Sequence, residues 1–482
     1  MSFFDWLMGL FRRKPPPAEA DPSTSEPEAE PEASAAPAKP AGERAPVPAE
    51  TTDDAGNRRL NPQEIRILVS EFKGDREGQF TERFVGALGS GQMIEIQQVP
   101  DAPTPLEGTA SVAKLTELFT EASDMVEEQQ ADLFVSGSLT KAGMRLRLIP
   151  PARPPEGRPE AFGWADSLLV PPNFGVELAT LIYASAIAAA LPGKRDHQTL
   201  LTPHLIDAAE KSLAILKGEG GKLTAEQTAS VMTHLGVVAA SVWKVTGKSG
   251  GLNTAIKAFR RAVKDGPKEI TPTVLTELKV RLAVALQELT EITGDAEMLD
   301  EAADALETVA GALSRSKHKR EWSMAYRQLG SLFLRRGKKE LNTDYCVNAL
   351  AAFDAVKDLF PKDEHPARWI EVMNQRGAVY VTWGTIGAGT GELQTAVDIY
   401  REVLAERHQA VAPLLWAQAS NNLGSAAFAL AKRTGDAKLL QEAAGCFDGA
   451  LAVYQEQGQT KAVAAMQKNL QRVERLQSGG GG

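Results

Sequence analysis

Residues 416–450 read WAQASNNLGSAAFALAKRTGDAKLLQEAAGCFDGA, and the same pattern returns upstream every 47 residues. Gly424 is matched by Gly377, Gly330, Ala283 and Gly236, all small. Ala443 is matched by Ala396, Ala349, Ala302 and Ala255. Phe447 is matched by Tyr400, Phe353, Leu306 and Phe259, always large and apolar, and Leu440 by Leu393, Cys346, Leu299 and Leu252. A fixed period held over five copies without insertion is what stacked repeats leave in a sequence.

The spacing within one copy predicts a helix pair. Leu423 and Gly424 precede a Thr434-Gly435-Asp436 loop, and Ala443, Phe447 and Ala450 then fall at i, i+4 and i+7 on one face of a second helix. Small residues at 424 and 443 let two helices approach, and Phe447 fills the space beside them. Neither helix buries its apolar face alone, so each pair needs its neighbours.

The series Leu423-Gly424, Ala427, Ala443, Phe447, Ala450 resembles the tetratricopeptide repeat, and the aromatic expected after the Gly is present as Phe333 and Tyr380. The Pro expected after the second helix is present as Pro267 and Pro361. The usual unit is about 34 residues, so the longer period implies longer first helices and a longer inner loop. The likeness is to extended, NNLG-containing bacterial repeats and covers roughly 174–477. It implies an all-α superhelical solenoid whose first helices line a groove. The position two before each Leu-Gly pair would face that groove: Thr233, Val280, Arg327, Asn374 and Asn421. Arg327, Asn374 and Asn421 are the candidate groove residues, the two asparagines matching one that bonds a bound peptide's backbone. The basic set of the carboxylate-clamp subfamily is absent.

The solenoid is expected over 173–477, as about six helix pairs and a capping helix. Copies start near Ala225, Thr273, Glu321, Arg368 and Leu414. The very apolar stretch 174–191 is too short for a membrane span and carries Glu177, so it is expected as a buried first-repeat helix. The last helix, 460–477, carries the polar run Gln467, Lys468, Gln471, Arg472, Glu474, Arg475 that suits a solvated cap. A Gly-rich tail at 478–482 is native or an expression remnant.

Before the repeats, 61–172 reads as a small α/β domain. Strands are expected at 65–72 (IRILVSEF), 93–99, 133–138 and 144–149, the last two joined through Lys141-Ala142-Gly143, with an edge strand within 164–170. Helices are expected at 80–88 and 112–128. This region resembles the TolB-type amino-terminal domain found beside tetratricopeptide repeats, and that family has no catalytic set to transfer.

The amino terminus, MSFFDWLMGLFRRK, places Phe3, Phe4, Trp6, Leu7, Met8, Leu10 and Phe11 before Arg12, Arg13 and Lys14. An apolar helix with a basic end suits the interface of an anionic membrane. A peptide that docks on a protein, or a start with no role, is the alternative. Basic residues follow the apolar ones, the reverse of a secretory signal. Residues 15–60 are a Pro/Ala/Glu-rich linker, expected to be disordered and extended.

The 482 residues carry a net charge of −9, which argues against a general nucleic-acid binder. The two cysteines cannot make a disulfide framework, and Cys346 sits in a Leu column, where a buried hydrophobe fits better than a reactive thiol. Residues 246–251 (TGKSGG) glance at a phosphate-binding loop, but the required upstream Gly is Val242. The six histidines show no metal spacing, and no nucleophile motif appears. No catalytic residue, metal or cofactor is therefore expected. Two basic clusters, Arg315, Lys317, Lys319, Arg320 and Arg335, Arg336, Lys338, Lys339, flank one first helix. They read either as a solvated rim or as a patch, and the acidic linker could make a loose, salt-sensitive self-contact there. The expectation is a non-catalytic scaffold, peripheral on the cytoplasmic face of a bacterial membrane, with protein partners. The alternative is a soluble regulatory or assembly factor.

Overall fold

A computed structural model describes residues 65–479, apart from 90–93, 101, 104, 107–111, 153–155, 164, 192–194, 268–269 and 388. The expected terminal anchor at 1–14, the linker at 15–60 and the tail from 480 lie outside the described residues.

The α/β domain is a five-stranded sheet of β1 (Ile65–Ser70), β2 (Ile94–Val99), β3 (Leu133–Thr140), β4 (Gly143–Ile149) and β5 (Leu168–Val170), in the order β2-β1-β3-β4-β5. β1 runs parallel to β2 and β3, while β3, β4 and β5 form an antiparallel meander. Helices α1 (Gln79–Gly89) and α2 (Val112–Glu128) make the parallel connections. Leu118, Ala122 and Val126 of α2 cluster with Leu68, Phe134 and Ile149 on one face of the sheet. On the other face lies α3 (Val176–Ala190), whose buried Leu178, Leu181, Ile182 and Ile187 explain why this helix is apolar all round. Burial on both faces likewise explains the consecutive apolar residues Ile67, Leu68 and Val69 of β1. The expected edge strand shortens to Leu168–Val170, because residues before it turn away to meet the helices.

After α4 (Arg195–Ser212), five helix pairs follow, α5 (Ala225–Thr246) with α6 (Ser249–Asp265), α7 (Pro272–Thr293) with α8 (Glu297–Ala312), α9 (Lys319–Glu340) with α10 (Thr343–Lys357), α11 (Pro366–Ile386) with α12 (Gly391–Ala405) and α13 (Pro413–Thr434) with α14 (Ala437–Glu456). A last helix, α15, spans Thr460–Gly479. The first helices start at 225, 272, 319, 366, 413 and 460, an unbroken 47-residue step. Four of those starts fall one or two residues before the sequence expectation, three of them because Pro272, Pro366 and Pro413 sit in the first turn, where a fixed φ and a missing N–H are harmless. Gly247, Gly294 and Gly435 end α5, α7 and α13 in the left-handed conformation. The TGKSGG stretch is thus the junction of α5 and α6, with Gly247 and Lys248 as the loop between them.

The small and aromatic columns meet. A Cβ added to Gly236 would stand 2.3 Å from the Phe259 ring, at Gly330 2.6 Å from Phe353, at Gly377 2.6 Å from Tyr400 and at Gly424 2.9 Å from Phe447. All four rings are buried. In the one copy with a Cβ in this column, Ala283, the residue in the ring column is Leu306, and both are fully buried. The pair conserves volume across the contact. Cys346, also buried, serves as a small hydrophobe, its thiol pushed up to about 11 by burial.

By compactness the chain divides into two units, Glu50–Ala325 and Tyr326–Gly482. The sheet belongs with the first repeats in this division, which falls within α9.

Gly377→Ala should destabilise the fold by about 1–3 kcal/mol through overpacking. Adding Tyr400→Leu, which copies the Ala283/Leu306 pair, should recover part of the loss. Thermal unfolding of the two single variants and the double gives the coupling, and strict additivity would mean that the two columns do not touch.

Candidate functional site

In Glu50–Ala325 the first helices present charged side chains, and the chain's own residues 156–170 lie on them. Arg281 of α7, 3% exposed, holds Asp166 with both terminal nitrogens, at 3.0 and 2.5 Å. Asp166 also accepts the Gly163 N–H at 2.6 Å. A Cβ on Gly163 would stand 2.2 Å from Glu277 Oε2 and 2.7 Å from Arg281 Nη2, so a side chain there would have to displace the ends of these two buried, ion-paired groups. The Phe162 ring lies 4.7 Å from that of His234 on α5. Ser241 donates to the Glu160 carbonyl at 3.2 Å, and Lys244 pairs with the Glu160 carboxylate at 3.5 Å. Arg320 of α9 reaches Glu156 at 3.3 Å and Glu277 at 3.0 Å. Ser230 donates to the Ser167 carbonyl and accepts the Leu169 N–H, both at 2.6 Å.

These helix residues repeat with the period. His234 and Arg281 are 47 apart, as are Ser230 and Glu277. The segment from 156 to 167, Trp164 apart, has no helix or strand and meets three successive first helices, at equivalent positions on α5 and α7 and at Arg320, nearer the helix start, on α9, held by ion pairs, one ring contact and hydroxyl–carbonyl bonds. Burial pushes the Glu277 carboxyl above its usual range, with Asp166 adding to the rise and Arg281 and Arg320 opposing it. Burial pushes His234 down to about 4, against an upward pull from Asp166, with Arg281 adding to the fall. Two acids and two guanidinium groups in so little water exist only because each faces an opposite charge.

In Tyr326–Gly482 the positions equivalent to His234 and Arg281 are Gln328, Gln375 and Asn422, all carboxamides. Gln375 is exposed, and Gln328 and Asn422 are half-buried. Asn422 donates to the Asn374 side-chain oxygen at 3.4 Å, and Asn374 itself donates back to Ile370 in its own helix at 3.0 Å. Arg327 pairs with Glu371 at 2.8 Å, and Arg368 reaches the same carboxylate at 3.0 Å. Asn421 is 1% exposed, and its side-chain oxygen accepts a bond from Asn469 on α15 at 3.5 Å. The structure thus places Arg327 and Asn374 beside the carboxamide row and Asn421 inside the packing of α13 on α15.

The basic clusters divide by environment. Arg315, Lys317 and Lys319 are exposed, with Arg315 over the Trp322 ring at 5.4 Å, whereas Arg320 is engaged by carboxylates. Arg336 pairs with Glu340 at 2.9 Å and lies 4.6 Å over Tyr345, beside half-buried Arg335 and exposed Lys338 and Lys339. Sequence reasoning missed Asp166, Glu277, Arg281 and His234. The available signal was Glu277 and Arg281 at i, i+4 on an otherwise apolar helix face, with His234 one period upstream. Among the described residues no group of three His, Cys, Asp or Glu side chains could hold a metal ion, and no helix is long and apolar enough to cross a membrane.

No family model matches the chain, and no curated protein matches it by sequence.

Asp166→Ala should destabilise by about 3–5 kcal/mol, because Arg281 is left buried without its partner. Asp166→Leu combined with Arg281→Met should cost much less in equilibrium unfolding. His234 gives a pH signature. Between pH 6.5 and about 4 the unfolded chain takes up a proton there that the folded chain refuses, so stability falls as pH drops through that window, by at most about 1.4 kcal/mol per pH unit. Glu277 acts with opposite sign in parent and variant alike. Melting curves of His234→Gln should therefore show a shallower decline across this window than the parent.

Proposed function

We propose that this chain is a non-catalytic protein–protein interaction scaffold, held peripherally on the cytoplasmic face of a bacterial membrane by residues 1–14, with the first helices of residues 326–479 as the partner-binding face. The observation that carries the reading is the shared register. Positions that hold Phe162 and Asp166 of the chain's own irregular segment in Glu50–Ala325 return in Tyr326–Gly482 as Gln328, Gln375 and Asn422. Carboxamides offer a donor and an acceptor together, which suits the backbone of an extended polypeptide more than a charged tail. Its tetratricopeptide-like pattern supports the same reading, with Arg327 and Asn374 flanking the row. The acidic residues of 15–60 would hold the folded body away from the membrane and could touch the basic residues around α9 loosely.

The apolar stretch Phe3–Phe11 with Arg12, Arg13 and Lys14 supports attachment to an anionic surface. The same stretch suits an apolar groove on a protein, which would make the chain a soluble regulatory or assembly factor.

Flotation of the full chain with phosphatidylglycerol vesicles separates the two. Burial of each large apolar side chain contributes up to about 1.5–3 kcal/mol, so Phe4→Glu with Leu7→Glu should lower vesicle-bound protein at least tenfold. A variant that floats as the parent does would remove the membrane arm. For the partner face, Asn374→Ala with Gln375→Ala should reduce in-cell cross-links from α11 to partner proteins at least fivefold, with an unchanged melting temperature. Unchanged cross-links would remove that face from the proposal.

A further inference from the structure

The face of the first helices in Glu50–Ala325 is built around its occupant to a degree that a chance loop contact does not require. The occupant supplies a ring to His234, a residue without a side chain where Glu277 and Arg281 close in, and three residues later a carboxylate to the fork of Arg281. Residues 156–167, Trp164 apart, contribute no helix or strand of their own, so besides two backbone turns what holds them is this set of side-chain recognitions. Arg281 is buried, and an empty face would leave its guanidinium in low dielectric with only Glu277, 3.9 Å away and shared with Arg320, as counter-charge. The face therefore demands a carboxylate, but nothing in the pairing requires that the carboxylate come from this loop. Exchanging one acidic segment for another keeps the ion pair and the ring contact, whereas emptying the face loses both.

We infer that residues 156–167 are a resident ligand of this face, and that the face accepts in exchange a partner segment of the same chemistry: an aromatic side chain, a residue with no Cβ directly after it, and a carboxylate three positions beyond that. This rests on reading the first-helix face as a peptide-binding surface, and it extends that reading from the carboxamides of Tyr326–Gly482 to a second, acid-selective stretch. The order of specificity follows from geometry. Substituting the Gly in such a segment brings a Cβ into Glu277 and Arg281, and neutralising the acid leaves Arg281 with a weaker acceptor. Tethering sets the threshold for exchange. A loop joined at both ends presents itself at an effective concentration on the order of millimolar, so a free peptide with no more than these contacts competes only in that range, and a partner that makes further contacts competes lower.

The test uses the full chain and a fluorescein-labelled peptide of residues 156–167, EGRPEAFGWADS, read by anisotropy. In the variant Phe162→Leu with Asp166→Asn the resident segment is weakened while its bulk is kept. The peptide should bind this variant at least tenfold tighter than the parent, and peptides carrying Gly163→Ala or Asp166→Asn should lose that gain. Equal binding to variant and parent, or none to a variant that still melts cooperatively, would overturn the inference and make the contact a fixed part of the fold. If the variant does not fold, the parent with Ala161→Cys carrying an environment-sensitive dye reports exchange directly. A dose-dependent signal at roughly 1–10 mM peptide, absent with the Asp166→Asn peptide, supports the inference, and no signal overturns it. Because the probe is the chain's own sequence, its failure leaves the cross-linking test of the carboxamide face standing.

Discussion

A ring lying against a bare Cα is the contact on which the helical region depends. The first helix of a pair comes close enough to the second for Phe259, Phe353, Tyr400 or Phe447 to occupy the space a side chain would need at Gly236, Gly330, Gly377 or Gly424. Glycine inside a helix costs about 1 kcal/mol relative to alanine, so its repetition requires compensation, and the buried ring supplies it. The Ala283/Leu306 copy keeps the same total volume with the sizes traded. Stability in such a region is close to a sum over pairs and their neighbours, which makes this one contact, repeated, the source of most of the order.

The charged face on α5, α7 and α9 works by another logic. Its ion pairs add little to net stability compared with an apolar core of the same shape, but they make misplacement expensive. Asp166 fits one fork, Gly163 fits one gap, and Glu156 and Glu160 fit cations on two other helices. Together they fix where the residues before β5 lie and join the sheet to the early repeats in one compact unit.

The 47-residue register was readable because small, large and apolar positions recur on helical spacing, and the five strands were readable from alternation and from the Lys141-Ala142 turn. What escaped the sequence were contacts whose partners sit far apart along the chain. Arg281 and Asp166 are 115 residues apart, and neither position looks unusual by itself. Asn421 shows the complementary difficulty. Its polarity suggests an open face, yet its side-chain oxygen is satisfied one repeat onward by Asn469, so it is buried at no penalty. Residue type reports what a position can bond, and only the fold reports whether water or protein supplies the bond.

Ser230 has a consequence beyond the contact it makes. Its hydroxyl takes the Leu169 N–H and gives to the Ser167 carbonyl, which are the groups a further strand would use to zip onto β5. One side chain thus counterfeits a neighbouring strand and blunts that margin of the sheet against edge-to-edge aggregation. The opposite margin, β2, pairs on one side only among the described residues. The sheet is consequently lopsided in its capacity to grow, and any intermolecular β-pairing by this domain would begin along Ile94–Val99.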